Sequence, residues 1–203
     1  MAKKGKKSYA NRGRNWETRL NRVHSRYLEA GDAYIARLHP PYLMRKRTGK
    51  GGFEGILLGQ GPPDYLICSM GYTFLVDAKE HKSDRLPYAR IPIHQATAFD
   101  MIHNYGGPKM GGLLLINFAK SQIAVAMDWR DVRDRYYKWA AYRAANERTP
   151  SGAASLTLTD AKEEGLWWET SESGATLDYL PSVILALQSR ELIKSSDVRA
   201  TPV

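Results

Sequence analysis

Residues 62–81, PPDYLICSMGYTFLVDAKEH, are the stretch that decides the fold. Two short apolar runs, Tyr65–Cys68 and Tyr72–Lys79, are separated by a glycine-containing turn, which predicts two antiparallel strands. If the loop is the pair Met70-Gly71, the register of the whole hairpin is fixed, because a slip by one residue would send every side chain to the other face. The stretch therefore predicts a tight β-hairpin with a defined register.

Three charged side chains of this hairpin fall on one face. Asp77 and Lys79 are two residues apart on a strand, so they point the same way, roughly 7 Å apart. The two-residue loop places Asp64 directly across from Asp77. Two carboxylates, an ammonium and the Ala78 carbonyl are ligands and charges suited to Mg²⁺-assisted phosphodiester hydrolysis. The alternative is a cross-strand ion pair on an exposed face, worth under ~1 kcal/mol.

A third carboxylate would complete such a site, and Glu17 or Glu80 are the candidates. Glu17 lies at the start of a predicted helix, where the alternative is a surface acid that interacts with the helix dipole. The pair His94-Gln95 opens another predicted helix. Gln95 is placed to orient a water or a phosphate, although an ordinary polar surface residue fits the pattern as well.

The composition is that of one soluble α/β domain. The chain has 203 residues, of which 43% are hydrophobic and 25% charged, enough for a single core. Its only cysteine, Cys68, excludes an intramolecular disulfide or a cysteine-based zinc site. No apolar run approaches the ~20 residues of a membrane span, and no signal peptide is recognisable. We expect a cytoplasmic protein without a membrane partner.

The net charge points to a polyanionic partner. Thirty Lys and Arg against 21 Asp and Glu give +9, which suits nucleic acid, although an acidic membrane surface would also attract it. Residues 1–14 carry no acid and no apolar periodicity, so they predict a flexible basic arm that contacts DNA, or else a solubilising tail. Its candidate DNA contacts are Lys3, Lys4, Lys6, Lys7, Arg12 and Arg14.

A second basic segment precedes the hairpin. Residues 40–61 are bracketed by proline and glycine and are too irregular for a core element, which predicts a protruding basic hairpin or a flexible arm. The segment reaches along a nucleic acid or is a solvated loop; its position beside the carboxylates favours the first. The candidate contacts are Arg45, Lys46, Arg47 and Lys50.

The remaining patterns complete an α/β fold of one domain, over residues 15–190, followed by a frayed tail at 191–203. Helices are predicted at Asn15–Ala30, Ile93–Tyr105, Asp128–Asn146, Thr159–Glu163 and Leu177–Leu187, and further strands at Ala33–Leu38, Gly112–Phe118 and Gln122–Met127.

These motifs resemble a known family. PPDY followed by VDAKE is similar to the PD-(D/E)xK nuclease superfamily. Asn11-Arg12-Gly13 with Glu17, the Asp64 and Asp77-Ala78-Lys79-Glu80 strands and the His94-Gln95 helix start resemble, more narrowly, the RecU family of Holliday junction resolvases. The resemblance implies a restriction-endonuclease-like fold, a central mixed sheet flanked by helices, with a stalk at 40–61 that enters the junction.

The resemblance also implies an activity. It implies a homodimer, bacterial or phage-encoded, that cuts two opposed strands of a four-way DNA junction with Mg²⁺, for which Mn²⁺ substitutes. Glu17, Asp64 and Asp77 would be metal ligands, Lys79 the catalytic lysine, and Gln95 an assisting residue. The family commonly has glutamate where Asp77 stands. Such an enzyme would work in the cytoplasm, with the nucleoid or in a phage's host.

Two other functions fit part of the pattern. A PD-(D/E)xK nuclease of repair or restriction would act on another DNA substrate. A non-catalytic junction-binding protein would bind in a salt-dependent way without cleavage. The clustered acids argue against a pure binder, because carboxylates repel DNA unless a cation lies between them.

Overall fold

The computed structural model describes residues 14–47, 53–170 and 177–199. The predicted basic arm lies outside these residues, except for Arg14, which begins the first helix; Lys50 also lies outside. The elements in chain order are α1 (Arg14–Ala30), β1 (Tyr34–Arg37), β2 (Tyr42–Arg47), β3 (Phe53–Leu57), β4 (Tyr65–Ser69), β5 (Tyr72–His81), β6 (Arg85–Pro87), α2 (Ile93–Tyr105), β7 (Met110–Phe118), β8 (Ile123–Asp128), α3 (Trp129–Ala144), β9 (Ser155–Thr157), α4 (Leu158–Glu164), β10 (Leu166–Glu169) and α5 (Tyr179–Arg199).

A six-stranded sheet in the order β1-β4-β5-β7-β8-β10 forms the centre of the fold. The pair β5–β7 is parallel, and the other four pairs are antiparallel. Parallel neighbours need a long crossover connection, and the segment that contains α2 supplies it. The predicted α/β class, with a central mixed sheet flanked by helices, is confirmed.

The two faces of the sheet carry separate hydrophobic cores. On one face α1 and α5 pack against β4, β5 and β7, and Trp16 of α1 donates its indole N–H to the Leu115 carbonyl at 3.2 Å. On the other face α2, α3 and α4 pack against β7 and β8. This division decides which side chains can meet at the site.

The predicted insertion is a β-hairpin of its own. Strands β2 and β3 form a separate two-stranded sheet with a bulge between Met44 and Lys46. Its base is closed by a hydrogen bond from the Leu58 N–H to the Pro41 carbonyl, 2.8 Å long. Leu57 and Leu58, at the carboxyl end of β3, are exposed. A separate hairpin therefore precedes the Asp64 strand, and its role as a stalk stays a prediction.

The structure departs from the predicted elements near the carboxyl end. Strand β10 was not predicted, because its four residues are too few to show a period. The last helix was predicted to end at Leu187 but continues to Arg199; no glycine or proline interrupts the sequence between them. The backbone of residues 191–199 is thus helical, where a frayed tail was expected. None of the helices among the described residues is long and apolar enough to cross a membrane.

Candidate active site

The central hairpin has the predicted register. Ser69 pairs with Tyr72, so the loop is the pair Met70-Gly71. Both loop residues have positive φ, 49° and 80°, as a type I′ turn requires. Continuing the register past the last pair, Tyr65 with Val76, places Asp64 opposite Asp77, as predicted.

Asp77 is fully buried, and burial disfavours its charged form. Its side chain is 0% exposed and its Oδ2 lies 2.5 Å from Lys79 Nζ. Neither carboxylate oxygen accepts a well-aligned hydrogen bond. Burial raises the pKa of Asp77 from 3.8 to about 6; Lys79 partly opposes the rise, and the nearby Asp64 adds to it. A buried carboxylate whose pKa is raised is typical of a functional site.

Lys79 connects the hairpin to α2. Its Nζ donates a hydrogen bond of 3.0 Å to Gln95 Oε1, in the first turn of that helix. Gln95 is buried, so the bond fixes the lysine head beside Asp77. The predicted association of Asp77, Lys79 and Gln95 is therefore present in the structure.

Close packing of α2 on the sheet makes this contact possible. A Cβ added to Gly112 of β7 would lie 2.5 Å from the Phe99 ring, so the helix rests directly on the glycine. Asp100 joins α2 to α3 by accepting hydrogen bonds from Trp129 Nε1 at 2.8 Å and from the Tyr137 hydroxyl. Neither position stands out in the sequence, because these contacts become recognisable only once the helix and strand are paired.

Asp64 is held at the open end of the hairpin. Its Oδ2 accepts a 2.8 Å hydrogen bond from the Ala78 N–H. The N–H and C=O of one strand residue point to the same side, so the Ala78 carbonyl is also directed toward Asp64 and away from β7. Asp64 interacts electrostatically with Asp77, and these two carboxylates with the Ala78 carbonyl make up an oxygen-rich corner, whose role as a ligand set stays a prediction.

Glu17 does not join this corner. Asp77 is in register with Leu114, on the face that α2 and α3 cover, whereas α1 packs on the opposite face. Glu17 instead forms an ion pair of 2.7 Å with Arg37 at the end of β1. Within residues 14–47, 53–170 and 177–199, no three His, Cys, Asp or Glu side chains lie close enough together to hold a metal ion.

Glu80 also faces away from Asp77. It accepts a hydrogen bond of 3.0 Å from Asn117 Nδ2, and burial raises its pKa. Because side chains alternate along a strand, its neighbour Lys79 and Asp77 occupy the other face. Glu80 is therefore not the third carboxylate of the corner formed by Asp64 and Asp77.

A comparison with protein families decides the relationship. The model of the family RecU, Recombination protein U, matches residues 11–184, most of the chain. The chain belongs to the RecU family. This membership confirms the family expected from the hairpin motifs and, with it, the activity of a junction-resolving endonuclease.

Other comparisons are more distant. The chain is similar to the solved structure of Archaeoglobus fulgidus Hjc, a Holliday junction resolvase from an archaeal hyperthermophile. The two are 10% identical, with a TM-score of 0.41, over 73% of this chain and 93% of the archaeal one. No curated protein matches the sequence significantly.

The corner of this RecU-family protein is chemically suited to a hard divalent cation. Such ions prefer carboxylate and carbonyl oxygens and keep several bound waters, so one or two protein carboxylates can hold them. The buried carboxylate of Asp77, which interacts electrostatically with Asp64, meets that requirement. Sequence reasoning missed Arg37, the partner of Glu17; no sequence signal shows that β1 pairs with β4 and brings Arg37 opposite Tyr65.

Proposed function

We propose that this RecU-family endonuclease resolves four-way DNA junctions as a homodimer, by Mg²⁺-dependent hydrolysis of one phosphodiester in each of two opposed strands. The observation that carries the proposal is the buried arrangement of Asp77, Lys79 and Gln95 beside Asp64. The alternative, an ion pair on an exposed face of the hairpin, does not fit, because the Asp77 side chain is fully buried and burying a carboxylate is costly.

Asp64 and Asp77 are the proposed metal ligands, together with the Ala78 carbonyl. Glu17 is the proposed third carboxylate, acting from the edge of the site once it leaves Arg37. The bound cation supplies Lewis-acid stabilisation of the phosphate and a more acidic water. Mn²⁺ has similar oxygen preferences and is expected to substitute.

Lys79 is the proposed catalytic lysine. As an ammonium ion paired with Asp77, it places positive charge where the phosphate gains negative charge during water attack. Gln95 holds this ammonium by its Oε1, so the charge is positioned before the substrate arrives. Preorganised charge of this kind contributes to the rate because little reorganisation is left for the reaction step.

DNA recognition is assigned to the basic segments. The stalk formed by residues 40–61 is proposed to enter the junction, with Arg45, Lys46, Arg47 and Lys50 as contacts, and the arm at residues 1–14 to contact phosphates. A four-way junction has two-fold symmetry, so a homodimer presents one site to each of the opposed strands. We place the enzyme in the cytoplasm, where recombining DNA is found.

A cleavage assay on synthetic substrates tests the proposal. Wild type with Mg²⁺ should give paired nicks in a four-way junction, and Asp77→Asn should give none. Asp32→Asn, a change at an exposed loop carboxylate, is the matched control and should cleave like wild type. Junction cleavage that is insensitive to Asp77→Asn would contradict the assignment of the site.

The same assay separates the other two functions. A nuclease of repair or restriction would cut linear duplex or flap DNA faster than the junction. A junction-binding protein without activity would bind tightly in a salt-dependent way and leave every strand intact with Mg²⁺ or Mn²⁺. Sedimentation of the free protein tests the homodimer, since a monomer at assay concentration would contradict it.

A further inference from the structure

The ion pair between Arg37 and Glu17 engages the carboxylate that the proposed function assigns to the cation. Arg37 ends the edge strand β1 and is in register with Tyr65, the residue after Asp64. The next residue, Leu38, donates its N–H to the Asp64 carbonyl at 2.8 Å. The guanidinium therefore projects from the strand segment that borders the two acids.

Glu17 is within electrostatic reach of the same place. Its Oε2 lies 2.7 Å from the Arg37 guanidinium, and Tyr65, the register partner of Arg37, donates its hydroxyl to Asn21 Oδ1 of α1 at 2.9 Å. The contact between α1 and β1 therefore lies beside the strand residue that follows Asp64. Arg37 and Glu17 stand at the rim of the corner formed by Asp64 and Asp77, with α1 supplying the acid and β1 the cation.

The pair is weak enough to exchange. The Arg37 and Glu17 side chains are 47% and 40% exposed, and an exposed pair contributes little because water and salt screen it. A phosphate oxygen pair offers the guanidinium a bidentate, charge-assisted partner in place of a single carboxylate oxygen. The many phosphates of a DNA strand add to that advantage.

From these contacts we propose that Arg37 is a phosphate-binding residue of the site, and that it masks Glu17 in the free protein. DNA takes the guanidinium from Glu17, and the released carboxylate becomes available to a divalent cation beside Asp64. This inference rests on the proposed function. It adds an order of events: the third carboxylate becomes available when the DNA backbone is in place.

Binding measurements without turnover test the exchange. In metal-free buffer, Arg37→Gln should weaken junction binding and lower the salt slope by about one per protomer engaged. Glu17→Gln should strengthen it, more than Glu29→Gln, an exposed change on the same helix. If the Arg37–Glu17 ion pair only holds α1 against β1, both variants should change junction affinity in the same direction. That result would overturn the proposal.

Mn²⁺ binding to the DNA-free protein supplies the second readout. Arg37→Gln should raise Mn²⁺ affinity about two- to fivefold, the range that an exposed ion pair allows. Arg22→Gln removes an equal charge from the exposed face of α1 and should raise it less. Equal or lower affinity in Arg37→Gln would overturn the masking of Glu17.

Failure of this inference and failure of the proposed function give different results. If wild type does not cut the junction, the proposed function fails, whatever the variants do. If wild type cuts and Asp77→Asn does not, but Arg37→Gln and Glu17→Gln shift junction affinity together, only the exchange is refuted. Arg37→Lys keeps the positive charge but loses the bidentate geometry of the guanidinium. The salt dependence of its junction binding should therefore lie between those of wild type and Arg37→Gln.

Discussion

Replacing Asp77 with asparagine should stabilise the protein while abolishing cleavage. Burial holds the pKa of this carboxyl at about 6 against an ordinary value of 3.8, so the folded state disfavours the charged form. Near neutral pH the carboxylate is nevertheless ionised in both states. A difference of about two pKa units corresponds to about 3 kcal/mol, which the neutral amide of Asp77→Asn would recover.

The direction in which stability changes with pH follows from the proton that Asp77 binds. Between about pH 4 and pH 6 the folded protein holds a proton on Asp77 that the unfolded chain has released, so wild-type stability falls as pH rises through this window. The advantage of Asp77→Asn should therefore be about 3 kcal/mol near pH 7.5 and shrink to less than about 1 kcal/mol near pH 4. In a protein of this size 3 kcal/mol corresponds to a rise in Tm of roughly 6–12 °C.

Denaturant unfolding in the presence of a chelator measures the effect. Asp32→Asn, at an exposed position, should change stability by less than about 0.5 kcal/mol. Added Mg²⁺ should stabilise wild type and leave Asp77→Asn unchanged, because a ligand stabilises only the form that binds it. If Asp77→Asn is less stable than wild type in the chelator, the attraction between Asp77 and Lys79 outweighs the cost of burying the carboxylate. The prediction that ionised Asp77 destabilises the fold is then wrong.

Three further outcomes are expected. Lys79→Ala should lower single-turnover junction cleavage at least about 100-fold with little change in junction affinity; a similar fractional loss in affinity would assign the lysine to binding alone. His24, whose pKa burial lowers to about 4, should make the folded state lose about 2 kcal/mol between about pH 7.5 and pH 5, because only the unfolded chain gains the proton; this loss should disappear in unfolding curves of His24→Gln. Met70→Asn should stabilise the hairpin by about 0.5–1 kcal/mol, since φ of 49° suits asparagine better than methionine; an unchanged or lower Tm would contradict the turn assignment.

The hairpin was predictable from the sequence because its constraints are local. A two-residue loop and a period of two fix which side chains oppose each other, so Asp64, Asp77 and Lys79 could be placed without any other element. Helix α2 was also predictable, since proline precedes it and glycine follows it. The Lys79–Gln95 contact follows from these two predictions as soon as α2 packs beside β5.

Glu17 shows where local reasoning ends. Its helix was predicted at the correct position, but the sheet face on which that helix packs depends on how a strand as short as β1 pairs with β4 and on the separation of two cores. Those are long-range choices that no short stretch of sequence specifies. Since α1 packs on the sheet face opposite Asp77, a carboxylate on that helix starts on the other side of the sheet from that side chain. Arg37 ends that edge strand, so the residue that binds Glu17 in the free protein also lies where the proposed phosphate contact would form.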